Sequence, residues 1–253
     1  MQEKAYKVLA LQEGISNREA KELIDRACVF LKGKKITLAR ALVDEKSQFI
    51  IKKTQNPQVI FEDKKILAIN KPHSFVSENL EKQFKAKLLN RLDKETSGVI
   101  LLCKEENFRQ MCIEEFKKHK VYKSYIAILN GILAQEIQIN EPLLTIKTKK
   151  GALSKISKEG FEAKSVISPL MIEGKKTLAK IVIQTGRTHQ IRVHTAFIKH
   201  GIIGDEKYAK IRAERMYLHS YELGILDYFF KANLDEDFNA FGFEIKNLDF
   251  KAI

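Results

Sequence analysis

The 253-residue chain has only three cysteines, Cys28, Cys103 and Cys112, widely spaced and set among apolar neighbours. An odd count without a CxxC pair excludes a disulfide framework, a dithiol redox centre and the common zinc sites. These thiols are expected to be buried and reduced. No apolar run approaches the length needed to span a bilayer, and charge begins at Glu3 and Lys4. The expected location is therefore the cytoplasm, with no membrane partner. The twelve glycines form neither a dinucleotide fingerprint nor a phosphate loop, and no internal repeat or low-complexity tract interrupts the chain.

What the chain has in excess is positive charge. Lysine and arginine number 45 against 32 acids, giving a net charge of +13 and a pI near 9.5. A polyanionic partner fits that balance, and so does a merely basic enzyme.

Residues 1–55 form a compact basic unit. In "GISNREAKELIDR", Ser16 and Glu19 have capping-box spacing, and Ala20, Leu23, Ile24 and Ala27 share one helical face. "VFLKGKKITLARALV" predicts a short strand, a turn at Gly33 and a return. This stretch resembles the S4 type of RNA-binding domain, with Ala27 and Lys32 where that pattern has glycine and asparagine. The resemblance implies a small S4-like α/β domain; a helical cap with a solvated basic face is the plainer alternative. "KKTQNPQ" then supplies a linker, and residues 56–253 form the second, larger domain.

In that domain "VIFEDKKILAINKP" predicts two apolar runs around a turn. "EENFRQMCIEEFKKHK" predicts a helix with Phe108, Met111, Cys112 and Phe116 on its core face. "SYIAILNGIL", "EAKSVISPLMI" and "KTLAKIVIQTG" read as strands. Lysines at 147, 149, 150, 155 and 158 offer a solvated face or an RNA track.

Two segments carry candidate chemistry. In "NRLDKETSGVILLCK", Asp93 stands among turn residues, where a short carboxylate serves a turn as readily as a reaction. Far downstream, "QTGRTHQIRVHTAFIKHGIIGDEKY" sets Thr185, Gly186, Arg187 and Thr188 where a strand ends and a helix begins, a place suited to an anion. Arg187 and Arg192 add fork-shaped donors. His189 and His194 are five apart without a third ligand, which argues against a metal. The same helix can also bury Ile191, His194 and Ile198 as core.

Together with "NKP", "KSYIA", "GDEKY" and "YLHSYELG", which follow in order between about Phe61 and Gly224, these segments resemble the RluA family of pseudouridine synthases. The resemblance implies an α+β catalytic domain with a mixed, largely antiparallel central sheet and flanking helices. It also implies an enzyme that needs neither cofactor nor metal, acting on RNA, with large-subunit (23S) ribosomal RNA expected and transfer RNA as the alternative. A monomer is expected. By the resemblance Asp93 is the catalytic aspartate, Arg192 pairs with it, Tyr125 packs on the target base and Leu218 lines the pocket. Arg91 fills the gap left by the extruded base, and Arg187, His189 and Lys71 contact substrate. Asn90 replaces the usual histidine, for which altered local hydrogen bonding is expected rather than lost activity. A fold retained without turnover, or a phosphate-binding hydrolase using Arg187 and His189, are the rival functions.

Overall fold

The computed structural model describes residues 1–26, 28–51, 55–148 and 151–245. The chain folds as two compact units, Met1–Asn56 and Pro57–Ile253. Ala27, Lys149 and Lys150, named above, fall outside the described residues.

In the first unit β1 (Gln2–Lys4) leads into α1 (Ala5–Glu13) and α2 (Asn17–Asp25). Then follow β2 (Val29–Leu31), β3 (Lys34–Lys35), β4 (Leu42–Asp44) and β5 (Phe49–Ile51). The capping box forms as its spacing predicts: Glu19 N–H donates to Ser16 Oγ, and Ser16 N–H donates to Glu19 Oε2. Strand β2 pairs with β3 and β5, and β1 with β4, all antiparallel. The two-residue turn Lys32-Gly33 has both φ angles positive, at 49° and 74°. That conformation favours Asn-Gly, so Lys32 occupies a position better suited to asparagine. Leu9, Ile24, Val29 and Phe49 form a core belonging to this unit alone.

The second unit runs β6 (Gln58–Glu62), β7 (Ile66–Lys71), α3 (Glu78–Phe84), β8 (Lys87–Leu88), β9 (Ser97–Cys103) and α4 (Glu106–Lys117). It continues with β10 (Tyr122–Asn130), β11 (Ile137–Ile139), β12 (Leu143–Thr148), β13 (Gly151–Ile156), β14 (Ser165–Glu173) and β15 (Lys176–Ile183). Helix α5 (Gln190–Phe197), β16 (Leu218–Ile225) and β17 (Tyr228–Lys231) complete it. The main sheet has the order β11-β14-β15-β10-β16-β9-β7-β6, with β8 on β9 and β17 on β16. Every pair in it is antiparallel except β16 with β9. This is the mixed, largely antiparallel α+β sheet that the resemblance implies.

Side chains alternate across the sheet, and both faces are covered, which is why β9 reads "SGVILLC" without polar interruption. Ile100 and Leu102 face the cluster that holds Leu80 of α3 and Ile191 of α5, while Val99 and Leu101 face Phe108 and Cys112 of α4. Met111, expected on that core face, is 55% exposed. It sits at the border of the apolar stripe, where the sheet no longer covers it. All three cysteines are buried and free. Lys147 and Lys155 lie on the β12–β13 hairpin, whose register sets Lys147 opposite Ala152 and Lys155 opposite Leu144. Period-two alternation puts these two lysines on opposite faces, so one flat track cannot use both.

The parallel junction is tight. Gly98 of β9 has φ +107°, and a Cβ there would lie 2.1 Å from the Ser220 carbonyl oxygen of β16. Only glycine allows the start of β9 to lie against β16, and Asp93 is on the loop that leads into β9.

Candidate active site

Asp93 serves the turn and the site with different atoms. Its backbone carbonyl accepts from Thr96 N–H at 3.1 Å, closing the bend. Its carboxylate points elsewhere and accepts from Arg192 Nη1 at 2.9 Å. Both groups line a cleft of about 460 Å³ that opens to solvent. Arg91, Tyr125, Arg187, His189 and Leu218 line the same cleft. The structure thus brings together seven of the eight side chains singled out in the sequence.

The eighth, Lys71, is elsewhere. It was expected to touch substrate, yet it is 0% exposed at the end of β7. Its ammonium donates to the carbonyls of Pro72, Phe75 and Lys94 at 3.1, 2.9 and 3.2 Å. All three donors are spent on backbone, and one acceptor belongs to the residue after Asp93. Lys71 is therefore a positioning residue that holds the Asp93 loop. Burial pushes its ammonium down to about 7, against the pull of Glu95 and Asp93.

The arginine fork is committed to a partner that the sequence did not single out. Arg192 Nε and Nη2 donate to Asp205 Oδ2 and Oδ1, each at 2.9 Å, leaving Nη1 for Asp93. Asp205, from "GDEKY", also accepts from the backbone N–H groups of Lys207 and Tyr208. Burial opposes charge on both groups. Their mutual hydrogen bonds outweigh it, raising the Arg192 pKa and lowering that of Asp205. Arg192 is thereby fixed as a cation before Asp93 is considered, with its orientation set by Asp205.

His189 caps the start of α5 in the left-handed region, φ 56°, a conformation uncommon for histidine outside special sites. Ser154 N–H donates to the Tyr208 hydroxyl, which shares a 2.7 Å hydrogen bond with His189 Nδ1. The other ring nitrogen, Nε2, lies 3.7 Å from Asp93 Oδ2. Burial lowers the histidine pKa although Asp93 raises it, so the ring is neutral near pH 7. His194 is five residues on and takes no part. It is buried, bonded to Ser165 Oγ and the Glu141 carbonyl, as a satisfied core histidine.

Gln190 knots the strand end to the helix. Its Oε1 accepts from Thr185 Oγ1 and Arg187 N–H, and its Nε2 donates to the Lys164 carbonyl and Ser165 Oγ. The Arg187 N–H expected to meet an anion is thus already used. Tyr125, on β10, is buried beside Leu218, and burial pushes its phenol up to about 12. At neutral pH it keeps its proton and offers a flat apolar face. Arg91 is the outermost member, with a 75% exposed side chain paired to Glu78 at 2.8 Å. Asn90, in place of histidine, accepts from Leu101 N–H at 2.8 Å and pins the loop to β9.

Beneath the site a buried chain of hydrogen bonds joins β9 to β16. Arg215 Nη2 donates to Ser97 Oγ at 2.6 Å, Ser97 donates to His219 Nδ1, and His219 Nε2 donates to the Ala232 carbonyl. "YLHSYELG" signalled this strand, but the role of His219 depends on a neighbour 122 positions away.

Residues 48–197 match the RNA pseudouridylate synthase family. A Helicobacter pylori protein named as an uncharacterized RNA pseudouridine synthase is 49% identical over 240 residues, covering 93% of this chain and 99% of that one. The dual-specificity RNA pseudouridine synthase RluA of Vibrio cholerae is 30% identical, over 65% of this chain and 75% of its own. A ribosomal large subunit pseudouridine synthase C of Buchnera aphidicola is 30% identical, over 73% and 69%. The solved human RNA pseudouridylate synthase domain containing 1 shares the fold with a TM-score of 0.62 at 22% identity, covering 72% of this chain and 84% of that one.

Proposed function

We propose, from the premise that this chain belongs to the RNA pseudouridylate synthase family and is an RNA pseudouridine synthase, that its substrate is large-subunit (23S) ribosomal RNA and that Asp93 carries the reaction. The observation that supports the site assignment is the Asp93–Arg192 pair, 2.9 Å apart in a cleft beside Tyr125 and Leu218. The relative named for the ribosomal large subunit supports the choice of substrate.

The reaction breaks the bond from uracil N1 to the sugar, turns the base and joins its C5 to the same carbon. N1 gains a proton and C5 loses one, so nothing is added overall. A carboxylate steadies positive character at the anomeric carbon while the base is detached. Arg192 faces that carboxylate with a positive charge at 2.9 Å. Tyr125 and Leu218 give the uracil ring apolar faces to turn against, and Arg91 restacks the space it vacates. His189 Nε2, 3.7 Å from Asp93 Oδ2, lies beside the carboxylate in the cleft.

The first unit acts as an S4-like RNA-binding domain in this proposal, supported by its helix pair, its β2–β3 hairpin and its basic charge. The work takes place in the cytoplasm, on RNA, without metal or cofactor. Chemical mapping of pseudouridines in cells lacking the gene tests the substrate: a site missing from 23S ribosomal RNA is expected. Loss confined to transfer RNA would overturn the choice.

A further inference from the structure

Lys123 lies on β10 two residues before Tyr125. It is only 8% exposed, and among the described residues no carboxylate pairs with it. Its one hydrogen bond is a long contact to the Gln184 carbonyl at 3.4 Å. A Cβ on Gly186, which lines the cleft, would stand 3.8 Å from its ammonium. A second cation flanks it. Arg187 donates through Nε to the Glu162 carbonyl at 3.0 Å and lies over the Phe161 ring at 5.2 Å, while the Glu162 carboxylate pairs with Lys164 at 2.7 Å. Burial, and then the Arg187 charge, lower the Lys123 pKa to about 8. A nearly buried ammonium beside Gly186 of the cleft lining thus feels the charge of a cleft-lining arginine, and among the described residues neither cation has a carboxylate partner, so a ligand bringing negative charge would relieve the repulsion.

We propose that Lys123 and Arg187 form a phosphate subsite that grips the RNA backbone beside the nucleotide whose base enters the Asp93 cleft. The subsite rests on the reading of that cleft as the uridine site. The sheet holds Lys123, the carbonyl of Glu162 and the ring of Phe161 hold Arg187, and Gly186 between them carries no side chain that would obstruct a phosphate. The subsite fixes one backbone position next to the site, so that the flipped nucleotide is anchored while its base turns.

The test measures binding of a short oligouridylate against salt concentration for the wild-type protein, Lys123→Met and Lys123→Arg. Pseudouridine formation on ribosomal RNA from cells lacking the gene is assayed on the same wild-type preparation. Losing one phosphate contact lowers the slope of log K against log salt by about 0.7 for a single strand, and binding weakens about tenfold. Lys123→Met is expected to show both changes, and Lys123→Arg neither. Should Lys123→Met fail to fold, Arg187→Gln, away from the sheet, is expected to lose the same slope. A wild-type slope in either neutral variant overturns the subsite, since a merely structural lysine would change melting temperature and not the salt response. Absence of pseudouridine with the wild-type protein would instead overturn the uridine reading, and the slopes would still decide whether phosphate binds.

Discussion

At the scale of single residues, the candidate site turns on one carboxylate–guanidinium pair whose geometry is imposed from outside. Asp205 takes two of the Arg192 donors, so the guanidinium reaches Asp93 from a fixed direction. Arg192→Met strands the Asp205 carboxylate, whose side chain has no exposure, and is expected to cost about 3–5 kcal/mol in urea unfolding. Arg192→Met combined with Asp205→Leu should recover part of that stability and none of the turnover. Equal stability of the two variants would refute the clamp. Asp93 alone read as readily as a turn residue, and only the resemblance carried by several segments in order pointed to it and to Arg192 as a pair; the two groups meet at 2.9 Å. Asp205 was not legible: in "GDEKY" an aspartate after glycine reads as a turn former, and only folding shows what its carboxylate meets. The burial of Lys71 could not be read either, since complete burial of a lysine is rare and only the fold supplies the three carbonyls that satisfy it.

Among the elements, what matters is how the loop from Asn90 to Thr96 is held. Gly98 lets β9 abut β16, Asn90 ties the loop to β9, and Lys71 draws in the Lys94 carbonyl. Lys71→Met leaves three carbonyls without their donor, at a cost of about 2–4 kcal/mol. Turnover should fall more than RNA affinity, because the loop loosens while the cleft remains. A variant with full turnover would show that the loop needs no such anchor. The hairpin of β6 and β7 could be seen in "EDKK", where Asp63 Oδ1 accepts from Lys65 and Ile66 N–H, and the α2 start in its capping box. The order of the sheet could not. β16 inserts between β10 and β9, strands roughly a hundred positions earlier or more, and no local pattern encodes that pairing.

Over the whole molecule, two units each carry a core of their own, and the second also buries ionisable groups whose state depends on pH. Burial lowers the His219 pKa from 6.5 to about 4. Because the unfolded chain takes up that proton more readily, the stabilisation is complete above pH 6.5 and is lost as pH falls through 4. The window is worth about 3 kcal/mol. In urea melts between these pH values, His219→Gln should show a flatter acid limb than the wild-type protein; parallel limbs would contradict the assignment. The net charge of +13 was plain from composition, but not its use, since the same excess suits a basic enzyme with any substrate. The account depends most on Asp93. The most direct test incubates the wild-type protein and Asp93→Asn with RNA from cells lacking the gene, and measures pseudouridine formed and RNA bound. Asp93→Asn should bind RNA as the wild type does and form pseudouridine at least about 10³-fold more slowly; product at an undiminished rate would contradict the account.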